Sequence, residues 1–166
     1  MRMLLLVAIL AGVSWYYFIG GRKISDDQVR AFYQMQTHAT LSRNPEALCN
    51  LLDNDFESRG ISVVYGQRVE VTQNKEETCA AYKQMYQGIA DIGARLGGIA
   101  TLGYEHHIDE VEVSSNRKSA IASVHFALTV AGSVMQYRGH SKDTLIRRAG
   151  RVLLLRSEEK SSIGNG

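Results

Sequence analysis

"KSAIASVHFALTVAG" (residues 118–132) alternates along its length. Ala120, Ala122, Val124, Phe126, Leu128 and Val130 fall on one side, and Ser119, Ser123, His125 and Thr129 on the other. A period of two is the mark of a β-strand with one face buried. The same period recurs on both sides of this stretch, in "HIDEVEV" (107–113), "SVMQYRGHSKDTLIRR" (133–148) and "RVLLLRSEE" (151–159). Turn residues separate the runs: Ser114-Ser115-Asn116, Ala131-Gly132-Ser133 and Ala149-Gly150. Four strands joined by tight turns make an antiparallel meander. One face of that sheet must be covered, and the cover has to come from upstream.

Upstream the period changes to that of helices. "SDDQVRAFYQMQTHATL" (25–41) opens with a capping box, Ser25 and Gln28, and sets Asp26 and Asp27 at the positive helix end. Val29, Phe32, Met35 and Ala39 are expected on its inner side. "NPEALCNLLDNDF" (44–56) restarts the pattern with Asn44 as cap and Pro45 at the first helical position. This second helix is expected to carry Leu48, Leu51 and Leu52 inward and to stop near Asp55. "GISVVYGQRVEV" (60–71) has β-branched residues on both sides of Tyr65-Gly66, which reads as a short strand pair or a bent strand. "NKEETCAAYKQMYQGIADIGARLGG" (74–98) is the clearest helix: Asn74 and Glu77 form a box, Tyr82, Met85, Tyr86, Ile89, Ile92 and Leu96 recur at helical spacing, and Gly97 and Gly98 end it. "SSIGNG" (161–166) reads as a frayed tail.

Before all of this stands "MLLLVAILAGVSWYYFIGG" (3–21). Arg2 followed by a short apolar run fits a secretory signal, and "GVS" offers a small-x-small cut. The aromatic cluster Trp15 to Phe18 extends the run to Ile19 and resembles an interfacial belt before Arg22 and Lys23. The expectation is therefore an uncleaved anchor, spanning the membrane through residues 3–19, with cleavage as the alternative. Arg2 and the terminal amine balance Arg22 and Lys23, so charge gives no orientation. A short tail before a long domain favours export of the domain, which places it in the periplasm of a bacterium, on the inner (cytoplasmic) membrane. The division expected is residues 1–23 as anchor, 24–160 as a single domain, and 161–166 as a flexible tail.

Composition narrows the classes. The 166 residues hold a single Pro and 15 Gly, which excludes a low-complexity chain. The net charge of +2 is uneven: +3 over residues 1–23, −7 over 24–116 and +6 over 117–166. Asp143, Glu158 and Glu159 interrupt the basic end and aromatics are sparse there, so no nucleic-acid partner is expected. Cys49 and Cys79 suffice for one bridge in an oxidising compartment, or for two buried thiols acting as small apolar groups. Both readings stand at this point.

Helix, helix, short strands, long helix and bent meander, with passages such as "LLDNDFESRGISVVYG" and "RRAGRVLLLRSEE", resemble the nuclear transport factor 2-like superfamily. The likeness covers residues 25–160. It implies an α+β fold, three helices packed on a curved antiparallel sheet as a cystatin-like cone, with a conical pocket and pairing of two copies through the sheet. The proton-shifting enzymes of that group need a carboxylate base plus a Tyr or protonated Asp for the oxyanion. Their base follows the second helix on the first strand, where Arg59 and Gly60 stand in this sequence, with Asp55 and Glu57 nearby. Tyr33 is a candidate oxyanion donor, but no catalytic residue is assigned. Inward positions give Tyr33, Phe56, Tyr82, Tyr86 and Phe126 as candidate ligand-binding residues.

"EHHIDE" (105–110) puts His107 and Asp109 on one strand face and His106 and Glu110 on the other. A metal there would need a third ligand, from His125 or His140, and none is assigned; no cofactor is expected. P-loop, dinucleotide and nucleophile-elbow motifs are absent from the sequence. The functional expectation is a membrane-anchored, exported, non-catalytic binding or scaffold domain that serves a cell-envelope complex through a protein partner. Scaffold subunits of bacterial type IV secretion machines resemble it in architecture. The alternative is a small-molecule-binding protein, or an isomerase or dehydratase, using the cone pocket.

Overall fold

The computed structural model describes residues 12, 23–64, 66–95, 97–98, 100–132 and 135–164. In chain order they form α1 (Asp26–Leu41), α2 (Pro45–Cys49), β1 (Leu52–Val64), β2 (Gln67–Asn74), α3 (Lys75–Arg95), β3 (Leu102–Val113), β4 (Ser119–Val130), β5 (Met135–Arg148) and β6 (Arg151–Gly164). The strands make one six-stranded sheet in the order β2-β1-β6-β5-β4-β3. Every neighbouring pair is antiparallel except β1 and β6, which run parallel. The α+β class, the three helices and the meander are thus as the sequence reads, while the junction of β6 with β1 turns the meander and the first hairpin into one sheet.

Local chemistry sets the helix ends. Ser25 N–H donates to Gln28 Oε1 at 3.2 Å at the start of α1. At α3 the box is reciprocal, Asn74 N–H to Glu77 Oε2 at 2.9 Å and Glu77 N–H to Asn74 Oδ1 at 3.0 Å. Gly97, at φ +75°, lets the chain leave α3, and Gly98 N–H donates back to Gly93 O at 3.0 Å.

The helices pack on one face of the sheet. Ile24, Val29, Phe32 and Tyr33 meet Leu52, Phe56, Ala122, Val124, Leu145 and Leu154 in the main core. A second cluster joins Ala39 and Leu48 to Tyr86, Ile89, Ala100 and Val130. On α1 the buried stripe is Val29, Phe32, Tyr33, Ala39 and Thr40, and Met35 is half exposed. At 100° per residue Met35 lies roughly 100° from the centre of that stripe.

Three other expectations are corrected. α2 ends at Cys49, and Leu52 already belongs to β1. Leu51 and Leu52 are buried either way, because i, i+3, i+4 spacing suits a short helix running directly into a strand as well as a longer helix. The frayed tail is part of β6, which runs through Ser161 to Gly164, and Ser161 is buried with its hydroxyl 2.8 Å from Ser62 Oγ.

The third correction concerns the membrane. Among the described residues no helix is long and apolar enough to cross one. The 21-residue α3 has the length, but carries Lys75, Glu76, Glu77, Lys83, Asp91 and Arg95. Residues 3–19, on which the anchor rested, lie outside the described residues, apart from Gly12. The single-pass inner-membrane placement, with a transmembrane helix as part of the fold, is therefore withdrawn.

Candidate functional site

The alternation of β4, β5 and β6 decides what faces the helices. On β5 the inward residues are Tyr137, Gly139, Ser141, Asp143 and Leu145, opposite Leu128, Phe126, Val124, Ala122 and Ala120 of β4. On β6, Ser157, Glu159 and Ser161 stand beside Asp143, Ser141 and Gly139. Two carboxyl groups from adjacent strands thus enter the space between sheet and helices. Gly139 gives the Phe126 ring room to pack: a Cβ there would come within 2.5 Å of Phe126 Cζ and 2.9 Å of Lys160 O.

Each carboxyl is held by a tyrosine. Tyr33 Oη donates to Asp143 Oδ2 at 2.7 Å, and Ser157 Oγ donates to Asp143 Oδ1 at 2.7 Å. Tyr137 Oη donates to Glu159 Oε1 in a short contact. Asp143 is buried and Glu159 half-buried. Burial pushes the Asp143 carboxyl above the ordinary carboxylate range, against the pull of Ser157, Tyr33 and Ser141, with Glu159 adding to the rise. Burial also pushes the Tyr33, Tyr82, Tyr104 and Tyr137 phenols up, with Asp143 reinforcing the shift for the first three and Glu159 for Tyr137. These hydroxyls remain protonated donors at neutral pH.

Rings line the rest. Tyr33 lies 5.7 Å from His106, Tyr104 stacks on His106 at 6.1 Å, and Phe126 lies 5.5 Å from Tyr137, centroid to centroid. His106 Nδ1 is 3.0 Å from Thr37 Oγ1 of α1, and burial lowers the imidazole's pKa, so the ring is neutral at pH 7. The result is an inward set of phenols, one neutral imidazole and two carboxyls in different environments. Such a set can hold a flat molecule, donate to its oxygens and accept a proton from it.

The residues expected at the first-strand base position do not supply that carboxylate. Arg59 pairs outward with Glu57 at 2.9 Å, and Asp55 with Arg148 at 3.1 Å. Of the candidate ligand-binding residues, Tyr33 and Phe126 stand in this inward set and Tyr82 packs at its helical side. Phe56 is buried in the main core, and Tyr86 donates to Thr40 O at 3.2 Å in the second cluster. Cys49 and Cys79 are joined as a disulfide with Cα atoms 5.5 Å apart. Asp143, Glu159, Tyr104 and Tyr137 were missed by the sequence reading. A signal existed, since "YRGHSKDTL" puts Asp143 in the same period-two register as Leu145.

Asp143 gives a pH prediction. Its folded pKa lies above the unfolded value of about 3.9, so the folded chain keeps a proton that the unfolded chain releases. Stability from this group is full below that value and is lost as pH rises toward the folded pKa. Asp143→Asn removes the titration but keeps an acceptor oxygen. In urea unfolding, the stability of wild type minus that of Asp143→Asn is expected to fall as pH rises from about 4 to about 7. A difference that stays constant or grows would show that Asp143 does not hold its proton.

No family model matches the chain, and no curated protein does. Solved structures do. A putative scytalone dehydratase from Novosphingobium aromaticivorans is 11% identical with a TM-score of 0.60, over 84% of this chain and 86% of that one. An NTF-2 like protein of unknown function from Shewanella oneidensis is 16% identical with a TM-score of 0.56, over 81% and 97%. A domain of unknown function with a cystatin-like fold from Nostoc punctiforme is 14% identical with a TM-score of 0.55, over 82% and 78%. At such identities the likeness establishes the fold, an α+β cone of the cystatin-like, nuclear transport factor 2-like kind.

Proposed function

We propose that the chain binds a small, flat, oxygen-bearing organic molecule between sheet and helices and moves a proton on it, as an isomerase or dehydratase does. The observation that supports this reading is the pair of tyrosine-held carboxyls on adjacent strands, Asp143 with Tyr33 and Glu159 with Tyr137. Two carboxyls in unequal surroundings divide naturally into a buried acid and a more open base. In this reading Glu159, half-buried and hydrogen-bonded to Tyr137, accepts the proton. Tyr104 and Tyr82 are the candidate donors to a developing oxyanion. The fold of a putative scytalone dehydratase agrees with this reading by analogy alone.

The test uses 2-naphthol, whose emission responds to proton transfer from its hydroxyl. Saturable quenching by the full chain is expected, weakened at least about tenfold, or about 1.4 kcal/mol, by Glu159→Gln and by Tyr137→Phe. No saturation up to about 1 mM, equivalent to about −4 kcal/mol, would overturn the reading. Equal affinity in both variants would overturn it as well.

A further inference from the structure

The face of the sheet turned away from the helices carries a second constellation, independent of the cone. His107, His125 and His140 sit side by side on β3, β4 and β5, since His107 pairs with His125 and His125 with His140. The register of β3 against β4 shifts between Ile108 and Glu110, leaving Asp109 as the extra residue of a bulge. Bulges re-aim side chains, and here Asp109 Oδ2 lies 3.1 Å from His125 Nε2 while Oδ1 lies 3.8 Å from His107 Nε2. The rings of His125 and His140 are 4.8 Å apart, centroid to centroid. One ligand atom each from Asp109, His125 and His140 falls within 4.8 Å of the others.

We propose that Asp109, His125 and His140 bind a divalent transition-metal ion on this face. Tetrahedral ligands at zinc distances stand about 3.3 Å from one another. The Asp109–His125 separation already meets that value, and His140 needs only a side-chain adjustment to join them. Two imidazoles and a carboxylate are a donor set shared by catalytic zinc and non-haem iron(II) sites, and it discriminates against magnesium and calcium, which prefer oxygen. His107, next to the free edge of Asp109, is the group placed to orient that carboxylate.

Three protein ligands leave a coordination position for an exchangeable ligand. His125 and His107 also line a groove of about 630 Å³ on the same face, together with Glu105, Arg138 and Lys160. Arg138 and Lys160 make that groove suited to a small anion, a carboxylate or phosphate, as the fourth ligand. The groove is also lined by His106, Phe126, Gly139 and Ser161 of the inward set, but neither Asp143 nor Glu159 belongs to it.

Cobalt(II) is the probe, because its visible absorption reports coordination number. Titration of the full chain is expected to give one cobalt per chain with the intense bands of a four- or five-coordinate site, displaced by one equivalent of zinc. His125→Ala and His140→Ala are each expected to weaken binding at least about thirtyfold, and Asp109→Asn about tenfold or more. Circular dichroism confirms that each variant is folded. Asp143→Asn is expected to leave cobalt binding unchanged, so failure here and failure in the cone are separable. Weak six-coordinate spectra, or equal affinity in the folded histidine variants, would overturn the proposal.

Discussion

Phe32→Ala is expected to destabilise the fold by about 3–5 kcal/mol, the range for emptying a large aromatic site in a core that cannot collapse. Phe32 is 1% exposed and meets the edge of Tyr33 at 5.3 Å between centroids. Its cluster draws Leu52 and Phe56, Val124 and Leu145 from three different strands, so the surrounding backbone is fixed by hydrogen-bonded neighbours and cannot move in to fill the void. Met35→Ala provides the contrast: one position of the same helix, half exposed, with a change within about 0.5 kcal/mol. Urea unfolding of both variants is the measurement, and a loss below about 1 kcal/mol for Phe32→Ala would show that α1 does not anchor the core. The effect extends to the site, because the ring of Phe32 braces the neighbouring Tyr33, whose hydroxyl holds Asp143.

What the sequence discloses follows from the range of each physical signal. Alternation is local, so β4 is legible in "SAIASVHFALTV" down to the individual buried residues, and the caps at Ser25, Asn44 and Asn74 mark helix starts. The end of α2 was not legible, because Leu48, Leu51 and Leu52 are buried in either assignment. Nor was the parallel pairing of β1 with β6, which depends on registers such as Ser62 with Ser161, residues 99 positions apart. Long-range pairing leaves no trace in a single window of residues.

The site shows the same division. The aromatic members Tyr33 and Phe126 come out of periodicity because apolar rings obey the inward rule. The carboxyls Asp143 and Glu159 break that rule, and a pattern search that reads charge as exposure counts them as solvated. Only the register of the whole strand, with Leu145 and Ser141 fixed inward, turns Asp143 inward too. A charged residue in phase with a buried face is thus the informative exception. The outer face illustrates the converse. The sequence names His107, Asp109, His125 and His140 as possible partners, but which of them meet is set by cross-strand pairing and by the bulge at Asp109.

Removing the bridge between Cys49 and Cys79 is expected to cost nearly as much as emptying the core. The two cysteines are 30 residues apart and enclose the β1–β2 hairpin, so the chain-entropy relation gives about 3.6 kcal/mol, within the usual 2–4 kcal/mol. For a domain of this size that corresponds to about 10 °C in Tm. The Cys49→Ser, Cys79→Ser double variant should show this loss without reductant, and wild type should show it in dithiothreitol. The origin of the effect can be read from the denaturant slope. A bridge that acts by restricting the unfolded chain keeps that chain compact, so its removal should raise the slope of urea unfolding as well as lower the midpoint. Phe32→Ala, which acts on the folded state, should leave the slope unchanged. Equal Tm values for oxidised and reduced wild type would mean that packing of α3 against β1, with Lys75 Nζ donating to Leu52 O at 2.9 Å, suffices to hold the hairpin. A lowered Tm with an unchanged slope would place the contribution in the folded state, where the bridge ties α2 to the helix that brings Tyr82 to the cone.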